Sequence, residues 1–109
     1  MLPISVAIPC RVAFPLQDLF QWHKRRLEVL AACPGTDLLA CETLPSLREV
    51  DAIIAVLKTL PPESPKAWLT FACKDGAHLC DGSSLRSALV SLAPPTPHYS
   101  FLFPIMLTL

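Results

Sequence analysis

The sequence carries no surplus charge of either sign: nine basic and nine acidic residues leave a formal net charge of zero. Without a basic excess, neither nucleic acid nor an anionic membrane surface is expected as a partner. No apolar run approaches the roughly 20 residues of a membrane helix. The apolar end, Phe101 to Leu109, is much shorter and is interrupted by Pro104. Ahead of the first apolar run, Ile4 to Ile8, there is no basic segment, which argues against a secretory signal. No two of the five cysteines (Cys10, Cys33, Cys41, Cys73 and Cys80) have the two-residue gap of a zinc knuckle or redox motif, and their number is odd. These spacings argue against a disulfide framework and for a reduced, cytoplasmic chain.

What is present is a core. Fifty-two per cent of the 109 residues are apolar and 17% are charged, enough for one small globular domain. Every charge lies between Arg11 and Arg86. Residues 1–15 form an apolar, proline-containing N-terminal segment, 16–93 hold the patterned region, and 94–109 form a proline-rich apolar tail. That tail is expected to be poorly ordered or to patch onto exposed core.

The patterned region reads as α-β-α-β-α. Leu16, Leu19, Phe20, Leu27, Leu30 and Ala31 have helical spacing, with His23 on or beside their stripe and Lys24-Arg25-Arg26 on a solvated face. Pro34-Gly35 stops this helix. Asp37 to Glu42 then reads as a strand buried on both faces, because its middle is unbroken apolar sequence. Ser46 with Glu49 forms a capping box ahead of the stripe Leu47, Val50, Ile53, Ile54, Leu57 and Leu60. Ala67 to Cys73 reads as a second buried strand. After a polar loop, Ser83 or Ser84 caps a third helix with Leu85, Ala88, Leu89 and Leu92 on its stripe. Short strand–helix–strand links imply parallel strands. Two such strands leave unpaired edges, and a complete (β/α)8 barrel typically needs about 250 residues. The expected fold is therefore α/β, either a minimal sandwich or a part of a larger barrel.

Ligands in such folds bind beyond the carboxyl ends of the strands. Glu42 and Thr43 follow the first strand there, and Lys74, Asp75 and Gly76 follow the second. A carboxylate at Glu42 suits a ligand ammonium, which would give a charge-assisted hydrogen bond. Asp75-Gly76 and Asp81-Gly82 suit turns, with Asp75 also a candidate substrate contact. His23 lies away from the carboxyl-end face and reads as a structural histidine, whereas His78 lies in a loop on the functional side. For Cys41 and Cys73 core packing, and for Cys80 a loop thiol, are favoured over a substitute metal site, because strand interiors do not make tetrahedral ligands converge.

Several blocks carry a resemblance: His23-Lys24-Arg25-Arg26, Thr36 to Pro45, Ala67 to Gly76, and His78 to Gly82. From about Trp22 to Leu92 the chain resembles the homocysteine S-methyltransferase family. The resemblance implies a partial (β/α)8 TIM barrel of two parallel strands and three helices. It implies methyl transfer from S-methylmethionine or S-adenosylmethionine to homocysteine, giving methionine, and hence a place in methionine biosynthesis. Glu42 corresponds to the family's glutamate for the substrate amino group, with Thr43 beside it. The family also implies zinc held by three cysteines, but the positions of those cysteines are not found in this chain, so zinc is not expected to be bound. The resemblance fades in residues 1–15 and beyond Leu92. A truncated gene model, a splice product or a partial duplicate is the expectation, inactive alone. The alternative is a non-catalytic interaction or regulatory module that self-associates through exposed sheet edges and the apolar tail.

Overall fold

The apolar periodicity becomes three helices packed on a parallel sheet in the computed structural model, which describes residues 14–92 together with the backbone of 101–102. The N-terminal segment up to residue 13, including Cys10, and most of the apolar tail lie outside the described residues. The elements are α1 (Leu16–Ala32), β1 (Leu38–Leu44), α2 (Leu47–Leu57), β2 (Lys66–Phe71), α3 (Leu85–Leu92) and β3 (Phe101–Leu102). The sheet order is β1-β2-β3, with both pairings parallel. The short β3 adds to the expected order; it pairs Phe101 with Ala67 and Leu102 with Trp68. No helix among the described residues is long and apolar enough to cross a membrane.

Local chemistry sets the ends of the elements. α1 gives way to a tight turn in which Thr36 N–H donates to Cys33 C=O at 3.2 Å. Pro34 and Gly35 occupy its central positions, and Gly35 has φ +87°, the left-handed value required at the third residue of a type II turn. α2 starts at Ser46, whose Oγ accepts from Glu49 N–H at 3.1 Å. The expected capping box is only half made. The Glu49 side chain turns away to His23, whose Nε2 lies 3.0 Å from Glu49 Oε1. A buried histidine on α1 competes for the carboxylate that would otherwise return to the backbone of Ser46. α3 is capped by Ser84, whose Oγ accepts from Ser87 N–H at 3.0 Å.

The core lies between the helices and one face of the sheet. Leu39 and Cys41 of β1 and Ala67, Leu69 and Phe71 of β2 share it with Leu27 of α1, Val50, Ile53, Ile54 and Leu57 of α2, and Ala88 and Leu92 of α3. Leu38, Ala40, Glu42 and Trp68 stand on the other face and are at least partly exposed. β1 therefore alternates rather than being buried on both sides. The apolar run gave no sign of this, because Leu38 and Ala40 are as apolar as the residues between them. The second strand also ends earlier than its apolar run. Ala72 N–H still donates to Leu44 C=O at 2.9 Å, but Cys73 pairs across the following loop with Leu79.

Candidate functional site at the carboxyl end of the sheet

The ladder between β1 and β2 is regular from Leu38–Lys66 to Cys41–Leu69, then resumes at Leu44–Phe71. Glu42 and Thr43 therefore stand opposite Thr70 alone. This two-against-one arrangement is a β-bulge, which bends a strand and re-aims its side chains. Thr43 adopts φ +62°. For a β-branched residue that conformation is strained by about 1–3 kcal/mol and persists only where the surroundings enforce it. The enforcing contact is Thr70, which is buried and whose Oγ1 accepts from Thr43 N–H at 2.8 Å.

Glu42 is exposed on the open face. Trp68 Nε1–H donates to its Oε1 at 3.2 Å. Trp68 and Thr70 are alternate residues of β2 and share a face. Together they hold the two consecutive bulge residues of β1. Sequence reasoning did not find Trp68 or Thr70. Their signal is register: Trp68 pairs with Ala40, which places it diagonally beside Glu42 on the same face.

Asp75 lies beyond β2, at the same end of the parallel pair. Its Oδ1 accepts from Ala77 N–H at 2.8 Å and lies 2.9 Å from His78 Nδ1, with Oδ2 3.1 Å from the same nitrogen. The Ala77 N–H first, then the His78 contact, hold its carboxyl below the usual carboxylate range. Asp75 thus builds its own turn. Asp81 does comparable work one turn later: Oδ2 accepts from Leu47 N–H at 3.0 Å and Oδ1 from Ser83 N–H at 2.8 Å. It caps α2 from 34 residues away and fixes the loop against the sheet end.

Among the described residues the thiols do not make a metal centre. Burial, and secondarily the negative Glu42, push the Cys41 thiol up to about 12. Burial first, then Cys80 and Asp75, also raise Cys73. Neither buried thiol has further donor side chains converging on it as a tetrahedral ion requires. Among the described residues no three His, Cys, Asp or Glu side chains gather in a group that could hold an ion. The described residues therefore do not fit zinc.

Comparison with known proteins gives this arrangement its context. The family model for homocysteine S-methyltransferase matches residues 6–107. The chain belongs to the homocysteine S-methyltransferase family. It is 42% identical over 77 residues to homocysteine S-methyltransferase of Escherichia coli, covering 70% of this chain and 24% of that protein. Homocysteine S-methyltransferase YbgG of Bacillus subtilis is 42% identical over 66 residues, 61% of this chain and 20% of its own length. The crystal structure of the homocysteine methyltransferase MmuM from E. coli, in its apo form, superposes with a TM-score of 0.73 at 35% identity, covering 89% of this chain and 35% of that one. Against the curated relatives, the chain spans about a fifth to a quarter of their length. Its fold is accordingly an α/β portion of a homocysteine methyltransferase barrel.

Proposed function

We propose that this chain supplies the amino-group seat of a homocysteine S-methyltransferase, with Glu42 as the residue that accepts hydrogen bonds from the ammonium group of homocysteine. The observation that carries the reading is the strained bulge at Glu42–Thr43, held by Trp68 and Thr70 at the carboxyl end of the strand pair. Strain of this kind is retained where it aims a side chain at a ligand. The exposed carboxylate suits a primary ammonium, because ionised donor and acceptor roughly double the strength of a neutral hydrogen bond.

The parent reaction is methyl transfer from a sulfonium donor, S-methylmethionine or S-adenosylmethionine. The homocysteine sulfur attacks the methyl carbon, the donor's C–S bond breaks with its electron pair left on the donor sulfur, and the thiol proton is lost. The role of this chain is binding and orientation. Thr43 shapes the strand end and Asp75 holds the neighbouring loop. The chain alone, cytoplasmic on this reading, binds homocysteine without turning it over.

Titration calorimetry tests this. Homocysteine binds the wild-type chain, and Glu42→Gln weakens binding about tenfold or more, as expected for a charge-assisted bond. Equal affinity in the two proteins overturns the reading.

A second reading is favoured by a different feature. Leu27, Leu30, Thr36, Leu38, Leu39 and Ala40 line an apolar groove of about 210 Å³ between α1 and β1. Among the described residues β1 has β2 as its sole strand neighbour. On this reading two copies associate through their β1 edges as an interaction module. Sedimentation equilibrium checks it: a concentration-dependent dimer supports the module, and a monomer throughout rejects it.

A further inference from the structure

We infer that Trp68 is a positioning residue for Glu42, fixing one carboxylate oxygen so that the other is presented to a ligand that must donate N–H, a primary ammonium. The inference rests on the reading of Glu42 as the amino-group seat and adds what makes that seat directional.

An exposed glutamate ordinarily samples many rotamers, and ordering it on binding costs affinity. Here the side chain is held before any ligand arrives. Trp68 comes from the neighbouring strand, 26 residues away, and its indole N–H reaches Glu42 Oε1 at 3.2 Å. Indole nitrogen donates only, so it serves the carboxylate and cannot accept from it. Among the described residues Oε1 alone of the two carboxylate oxygens is engaged, which leaves Oε2 to accept. The backbone beneath is fixed as well. Thr70, two residues on and on the same face of β2, ties down Thr43 N–H at 2.8 Å. Trp68 and Thr70 therefore act as paired supports under the bulge, one for the side chain and one for the backbone. A ligand carrying a quaternary ammonium, or none, has no N–H for Oε2 and gains nothing from the arrangement.

The test has two arms. In the first, the indole N–H resonances of Trp68 and Trp22 are followed by NMR as the chain is acidified without ligand. Trp22 is 56% exposed on α1 and serves as the internal control. The Trp68 resonance shifts as Glu42 is protonated, the Trp22 resonance does not, and Glu42→Gln abolishes the Trp68 shift. A Trp68 resonance that ignores pH, or moves equally in Glu42→Gln, overturns the inference. In the second, homocysteine affinity is measured for Trp68→Phe, Glu42→Ala and the double variant, each checked by circular dichroism for native helix content. Trp68→Phe weakens binding about three- to tenfold, the scale of one net hydrogen bond, and adds no loss in the Glu42→Ala background, where no acceptor remains for the indole. Equal losses in both backgrounds overturn positioning, since Trp68 would then act without Glu42. If homocysteine binding ignores Glu42→Ala while the indole still follows protonation of Glu42, the amino-group reading fails and the Trp68–Glu42 coupling stands.

Discussion

His23 and Glu49 form the most consequential polar contact in the core, and replacing His23 by leucine should show it. The two residues are 4% and 1% exposed, with Nε2 and Oε1 3.0 Å apart. Glu49 Oε2 is buried and has no hydrogen-bond partner among the described residues. Removing the histidine leaves a buried carboxylate with neither oxygen served by a side chain. Breaking a buried ionisable pair in this way costs about 3–5 kcal/mol, a large share of the roughly 5–15 kcal/mol that holds a domain folded. Leucine keeps the volume, so little of the loss comes from a cavity. Urea unfolding followed by circular dichroism measures it. With a slope of about 1 kcal/mol per molar urea, the midpoint falls by about 3 M, or the chain is unfolded at the outset. The double variant His23→Leu/Glu49→Met is the decisive companion. It removes both polar groups, and such replacements are often neutral or stabilising. The double variant therefore recovers most of the loss. A double variant as unstable as the summed singles would refute the claim that an unpaired carboxylate is the cause.

Three further outcomes are expected. The Cys41 thiol titrates from its ordinary 9.0 up to about 12 in the folded chain, so between those values the unfolded state holds fewer protons. Stability then falls as pH rises from about 9 to about 12, by at most about 1.4 kcal/mol per pH unit, and Cys41→Ala removes that slope from urea midpoints across the alkaline range. With a thiol reagent under native conditions, exposed Cys33 reacts promptly, whereas buried Cys41 and Cys73 wait for unfolding; rapid native labelling of Cys41 would contradict its placement in the core. Thr43→Gly relieves the strain at φ +62° and, after the entropy cost of glycine, raises stability by about 1 kcal/mol in thermal melts; a lowered midpoint would show that the conformation is not strained.

Local patterns made the elements legible and long-range pairing made the site illegible. α2 could be read because Leu47, Val50, Ile53, Ile54 and Leu57 repeat at helical spacing behind Ser46, and both features are local. Glu42 could be placed towards the carboxyl end of β1 because a carboxylate interrupts the apolar run there. The strand does not stop at it: β1 runs on to Leu44, and Glu42 and Thr43 lie within it rather than after it. The bulge could not, since nothing at Glu42 or Thr43 says how the two strands come into register. The same holds for Trp68 with Glu42 and for His23 with Glu49, each pair separated by 26 residues. The half-made capping box shows the limit well. Ser46 and Glu49 carry the right pattern, but a histidine on another helix decides where the carboxylate goes. Asp81 reads locally as a turn residue and proves to cap α2 as well, which only the folded loop reveals.

The claim that Glu42 seats an amino group is tested most directly by comparing homocysteine with its deaminated thiol-acid analogue. On the wild-type chain homocysteine binds about tenfold or more tightly than the analogue, and in Glu42→Gln that preference is lost. Equal affinities on the wild-type chain, or a preference that survives Glu42→Gln, would contradict it.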